Sequence, residues 1–254
     1  MVSLFFLWVE RRELFKQVHW SPSKGLLIMV LGIVCYILAI KGHGTLSQND
    51  YLSVCLLGAV VWLHSGFILV YGPAAYRKAF FPMYFLLLCI PIPTFILDPV
   101  IRFLQVSSAH AVHLTFATIG IPYLREGMTF QLPGIAIEVA KECSGIRSSL
   151  ALFITSILAG HMFLKATWRK LMLISVIIPL AIFKNAIRIT TLSLLAVYVD
   201  KSWLTDSWLH KGGGMVFFMI ALLFLALILW CLVRFKSNRN PLGNLSFWPN
   251  HPHR

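Results

Sequence analysis

Apolar residues gather into long unbroken runs along this chain, and the polar residues collect between them. Runs of this kind suit a hydrocarbon core roughly 30 Å thick, which a helix rising about 1.5 Å per residue crosses in about twenty residues. The first is Gly25 to Ile40, and Arg11, Arg12, Lys16 and Lys24 before it predict a cytoplasmic N-terminus by the positive-inside rule. The earlier stretch Leu4 to Val9 is too short for a signal h-region and runs into Glu10, Arg11 and Arg12 with no small-residue cleavage site. The first membrane helix is therefore expected to target the chain. Lys41 to Asp50 reads as an outer loop, and Tyr51 to Tyr71 as a return to a short loop holding Arg77 and Lys78. A third run, Phe80 to about Ile101, goes out again, and Pro91, Pro93 and Pro99 predict that it is kinked or broken.

Arg102 to Glu142 is the longest polar-tolerant stretch. It starts as a helix-like segment, interrupted by Ser107, Ser108, His110 and His113 and so too polar to span, and continues as strand-like text. Met128 to Leu132 and Ile135 to Val139 flank Leu132-Pro133-Gly134-Ile135, and Pro then Gly at the central positions is what a type II turn requires. A short hairpin at the outer surface is expected. A fourth span, Cys143 to Phe163, starts at a polar cluster and enters a strongly basic loop with Lys165, Arg169 and Lys170. The fifth run, Leu171 to Val199, is too long for one crossing and carries Lys184, Asn185 and Arg188, with Arg188 near the outer face. Met215 to Val233 then returns to Arg234, Lys236 and Arg239, leaving Trp203 to Gly214 outside. Parity requires that Ile189 to Val199 is no separate crossing: it is re-entrant or interfacial, or it continues helix five before a sharp return, with Trp203 and Trp208 as interface anchors.

The pattern as a whole predicts an all-α polytopic membrane protein of about six to seven transmembrane helices, with a short outer-face β-hairpin before the helix that starts at the polar cluster. Residues 1–237 form one integral membrane domain, and the tail Asn238 to Arg254, with three prolines and scattered Asn, is expected to be a disordered cytoplasmic extension. Composition agrees. The 254 residues are 58% hydrophobic and 12% charged, against about 25% charged in soluble domains, which excludes a soluble globular fold. A net charge of +13 would suggest nucleic acid in a soluble protein. Here it marks which loops face the cytoplasm, so the bilayer is the expected partner and nucleic acid is not.

The five cysteines form no CxxC pair, and Cys35, Cys55, Cys89 and Cys231 lie in apolar runs where a thiol behaves as a small hydrophobe. Cys143 alone has polar company. It stands at the start of one span, Arg188 near the end of another and His210 just before a third, so the three are expected at one membrane depth. A cysteine nucleophile acts as thiolate, its ordinary pKa of about 8.5 falls next to a cation or a helix N-terminus, and Cys143 would have both. A histidine, with an ordinary pKa of about 6.5, suits taking the thiol proton and returning it to a leaving amine. Arg188 serves either the thiolate or the oxyanion of a tetrahedral intermediate, and sequence leaves both roles open. Each residue alone has a plainer reading: a structural cysteine, an arginine snorkelling to headgroups, an interfacial loop histidine. No HExxH, GxSxG, paired-Glu helix or metal-ligand spacing around His110, His113 or His161 is present, so neither metal nor cofactor is expected.

Glu142-Cys143-Ser144-Gly145-Ile146-Arg147-Ser148, then Phe183-Lys184-Asn185-Ala186-Ile187-Arg188-Ile189, then His210 before a Gly-rich helix start, resemble the exosortase/archaeosortase family in residues and in order, from roughly Phe80 to Cys231. The resemblance implies a multipass cysteine protease or transpeptidase of the bacterial inner membrane. Such enzymes process exported proteins whose C-terminal sorting tail combines a short Pro-Glu-Pro-like motif, a transmembrane helix and a basic cluster. It implies Cys143 as nucleophile, His210 as general acid/base and Arg188 as thiolate or transition-state stabiliser, facing the periplasm. Glu142, Ser144, Gly145, Arg147, Lys184 and Asn185 are expected to shape the site or meet substrate. Arg147 reads also as a structural partner of Glu142, and Lys184 and Asn185 as groups that cap or hydrate their helix. The competing class is a non-enzymatic transporter or export-system assembly subunit, in which Arg188, Lys184 and Glu142 line a polar pathway and the thiol is dispensable. The sequence assigns no oligomeric state.

Overall fold

The computed structural model describes residues 2–9, 11, 22–42, 44–141, 145–200 and 208–234. They divide into two compact units, 1–99 and 100–254, whose boundary falls within one helix. The first unit holds α1 (Val2–Val9), α2 (Pro22–Gly42), α3 (Gln48–Lys78) and α4 (Phe80–Phe85), the last extended by a 3-10 turn over Leu86–Cys89. Helices α2 and α3 pack as a hairpin with Gly32 facing Gly58, where a Cβ on either glycine would stand 3.3 Å from the other's carbonyl oxygen. Small residues let apolar helices approach this closely in lipid. Helix α3 breaks at Gly72, whose φ of 81° is open to glycine, immediately before Pro73.

A second break follows at Ile90 to Pro93, between the 3-10 turn and α5 (Thr94–Ile119), where the helical path turns by 81°. Pro91 and Pro93 have no N–H to continue a helix, and side chains from the start of α3 take up the groups left over. Ser53 Oγ donates to the Pro91 carbonyl at 2.8 Å and Asn49 Nδ2 to the Ile92 carbonyl at 2.8 Å. The Asp50 carboxylate accepts from the Thr94 backbone N–H at 2.6 Å and from its hydroxyl, capping α5. The proline-rich run is thus broken, as expected, but its end differs. Ile101 lies inside α5, and Ser107, Ser108, His110 and His113 do not interrupt that helix. A serine hydroxyl or an imidazole is accommodated when it finds a partner on a neighbouring element, which hydropathy along one segment does not register.

The second unit adds a three-stranded antiparallel sheet and four helices. Strands β2 (Thr129–Leu132) and β3 (Ile135–Glu138) form the expected hairpin, with Leu132 opposite Ile135 and Gly134 supplying φ 81°. The additional strand β1 (Leu124–Glu126) joins β2 through Gly127, at φ 63°. Its sequence, Leu-Arg-Glu, carries no strand signature of its own. The inward residues Phe130, Leu132, Ile137 and Val139 pack with Val112 and Phe116 of α5 and with Ala186 and Ile189 of α8 (Ile177–Tyr198). The sheet therefore lies across the C-terminal halves of α5 and α8.

A separate core joins α6 (Ile146–Phe163), α7 (Thr167–Ser175), α8 and α9 (Trp208–Arg234) through Leu152, Leu173, Leu180, Ala221 and Leu225. Helix α9 runs antiparallel to α7 and α8, because Arg169 donates to the Leu232 carbonyl at 3.2 Å while Phe183 meets Phe224 edge-on. Ile189 to Tyr198 continues α8 without a break. Of the readings open for that stretch, the helical continuation is the one observed, with Leu194 and Val197 packed against the sheet. Among the described residues, five helices are long and apolar enough to cross a membrane, or six if the bent pair counts as one span. The protein is an all-α polytopic membrane protein carrying a small sheet. The tail from Asn238 and the anchor Trp203 lie outside the described residues.

Candidate active site

Glu142, Cys143 and Ser144 lie outside the described residues, as does the side chain of His210, so the site is built from what surrounds them. Gly145 caps α6 in the left-handed conformation, φ 68° and ψ 18°. Its carbonyl accepts from the Ser149 N–H at 2.9 Å and from the hydroxyls of Ser148 at 3.0 Å and Ser149 at 2.9 Å. The first turn of α6 thus opens two residues past Cys143, and its leading N–H groups lack helical acceptors.

Side chains from α8 stand directly against this cap. A Cβ placed on Gly145 would meet Lys184 Nζ at 3.2 Å and Asn185 Oδ1 at 3.4 Å. Gly145 is therefore required twice, by its φ and by the space it leaves. Lys184 is 5% exposed and donates to the Ser148 hydroxyl. Among the described residues its hydrogen-bonding partner is thus a hydroxyl and not a carboxylate. Asn185, 1% exposed, donates through Nδ2 to Ser108 Oγ at 3.0 Å, tying α8 to α5, while its Oδ1 has no hydrogen-bond partner among the described residues. Gln105, one turn before Ser108, donates to the Val139 carbonyl at 3.0 Å and fixes the chain just past β3.

Arg188 is half-buried one turn beyond Lys184, close enough for the two cations to repel one another. Arg147 lies on the exposed side of the first turn of α6. His210 belongs to the first turn of α9, and the antiparallel run of that helix sets its start level with the last turns of α8, past Arg188. Of the residues expected at the site, Gly145, Lys184 and Asn185 are brought together, and Arg188 follows on the same side of α8. Sequence reading missed Ser108 and Gln105 and gave Ser148 no role. An isolated serine or glutamine in an apolar helix reads as an interruption until its partner is seen.

A family model described as transmembrane exosortase matches residues 1–227, nearly the whole of the described chain. The chain belongs to the transmembrane exosortase family. The match extends through the first helices, well beyond the stretch from Phe80 to Cys231 that the motifs alone had suggested. No curated protein and no solved structure matches. For an exosortase family member, the cap of α6 with its buried Lys184 and Asn185 is the part of the described fold where polar chemistry concentrates next to the motif cysteine.

Proposed function

We propose that this exosortase family member is a membrane cysteine protease or transpeptidase that removes the C-terminal sorting tail of exported proteins at the outer face of a bacterial inner membrane. The observation that carries the reading is the α6 cap: Lys184 stands against Gly145 at the start of the helix that follows Cys143 in the sequence, and positive potential at such a helix start favours a thiolate. Six crossings, counting the bent pair as one, would return both ends to one side, in accord with basic residues near both termini. They would also set the start of α6, the end of α8, the start of α9 and the sheet together on the opposite side.

In this reading the substrate helix docks against the bundle with its recognition motif under the sheet. The Cys143 thiolate attacks the scissile carbonyl, the C–N bond breaks, and His210 delivers the proton taken from the thiol to the departing amine. Arg188 and the α6 N–H groups stabilise the oxyanion or the thiolate. An external amine or water then attacks the thioester, releasing the thiol and leaving a new amide or a free acid. The test is a secreted reporter carrying a Pro-Glu-Pro-like motif, a membrane helix and a basic cluster, co-expressed with the full chain. Cys143→Ala should abolish tail removal while the protein remains inserted. Undiminished removal would contradict the mechanism and favour the transporter or assembly class.

A further inference from the structure

At the end of the second unit away from the sheet, three helix termini meet. Lys165 follows the last turn of α6, Arg169 and Lys170 lie in the first turn of α7, and Arg234 ends α9. Arg169 donates through Nη1 to the Leu232 carbonyl at 3.2 Å, which ties α7 to the last turn of α9, and its guanidinium lies over the Trp168 ring at 5.3 Å from the centroid. Arg234 lies over the Trp230 ring at 4.6 Å. Lys170 lays its stem across Gly160 of α6, with Cγ 3.7 Å from the point a Cβ there would occupy. A guanidinium on an aromatic face directs its N–H donors along its own plane, in a fork that matches two phosphate oxygens, and has already given up much of its rotamer freedom. We propose that this junction binds the phosphate headgroup of an anionic phospholipid, with Arg169 and Arg234 as the principal donors and Lys165 and Lys170 beside them. The inference does not depend on the reading of Cys143.

The order of charges along the chain favours an anion here. The sequence holds no Asp or Glu from Cys143 to Val199 or from Ser207 to its end: Glu126, Glu138 and Glu142 precede α6, Asp200 follows α8 and Asp206 precedes α9. The acids of this unit thus stand, in sequence, beside the opposite ends of these helices, and the positive end of the α7 dipole adds to the cations. The surroundings select the kind of anion. Phe163 at the end of α6, Trp168 and Leu171 on α7, and Trp230 and Val233 on α9 are exposed large apolar side chains flanking the cations. Arginines seated on exposed indoles next to apolar surface complement a molecule that carries a phosphate and acyl chains together, which neither a free phosphate nor an acidic soluble protein offers.

The experiment titrates the full chain, purified in dodecyl maltoside, with dioleoylphosphatidylglycerol or dioleoylphosphatidylcholine and follows bound lipid by native mass spectrometry. Phosphatidylglycerol should half-saturate the protein at a concentration at least about tenfold below phosphatidylcholine, and inorganic phosphate should not displace it. Arg169→Gln with Lys170→Gln should weaken phosphatidylglycerol binding by about tenfold or more, as expected for the loss of charge-assisted bonds to phosphate. Lys165→Gln with Arg234→Gln, both at exposed positions, should act in the same direction. That pair leaves the Arg169 bond to Leu232 in place and supplies the test if the first variant fails to accumulate. Arg77→Gln with Lys78→Gln removes the same charge from the exposed end of α3 and should leave the binding unchanged. Equal affinity for the two lipids overturns the inference. So does equal weakening by all of these variants, which would mark a general attraction of basic residues for anionic lipid. Displacement by inorganic phosphate also overturns it, because the junction would then be a site for a free anion.

Discussion

At the scale of single residues the candidate site turns on Gly145. A side chain there would force a left-handed backbone, costing about 1–2 kcal/mol, and would press on Lys184 and Asn185. Gly145→Ala should therefore leave an inserted protein whose reporter processing falls by at least about tenfold, since small displacements of a reacting group cost rate steeply. Processing at the parental rate would show that the cap does not position the sulfur. The residues named from sequence and those found at the cap overlap in an instructive way. Cys143, Arg188 and His210 were named because a thiol, a guanidinium and an imidazole at span ends are costly without a use, and of these the described residues include the side chain of Arg188 alone. Lys184 and Asn185 were visible, but whether they hydrate α8 or point inward depends on which face of the helix is covered, and α8 is apolar nearly all round. Ser108 gave the opposite signal: it was read as a reason why its segment could not span, and it is the buried partner of Asn185.

Elements show how far local pattern reaches. The Pro133-Gly134 hairpin was predictable because turn chemistry is confined to two residues. Strand β1 was not, since it owes its conformation to what it touches: Tyr123 just before it hydrogen-bonds His113, Arg125 donates to His110 at 3.3 Å, and Arg125 also lies over the Phe130 ring. Phe130 is fully buried, with the Phe116 ring edge-on at a centroid distance of 5.6 Å and Tyr123 alongside. Phe130→Ala should destabilise the sheet layer by about 3–5 kcal/mol. Limited trypsin digestion of the detergent-solubilised protein should then cut faster at Arg125 and Lys141 than in the parent, and an unchanged digestion pattern would contradict the packing described. The break before α5 illustrates the same division. Its prolines announce it, but the Asp50, Asn49 and Ser53 bonds that fix its place come from about forty residues earlier in the chain.

At the scale of the whole molecule, the hydropathy runs foretold the all-α membrane class, and the remaining question was parity. Thr167 to Tyr198 is longer than the bilayer requires, and its end, Ile189 to Tyr198, carries a second surface, the one on which the sheet rests. A run of hydropathy cannot distinguish residues covered by lipid from residues covered by protein. The proposed function turns on a thioester that forms on Cys143 during tail removal. Hydroxylamine tests it directly, because it intercepts a thioester and leaves a hydroxamate. With membranes bearing the full chain, the reporter and hydroxylamine, mass spectrometry of the processed reporter should find a C-terminal hydroxamate, absent with Cys143→Ala. A processed reporter that ends in a free acid at every hydroxylamine concentration, and that forms equally with Cys143→Ala, would contradict the account.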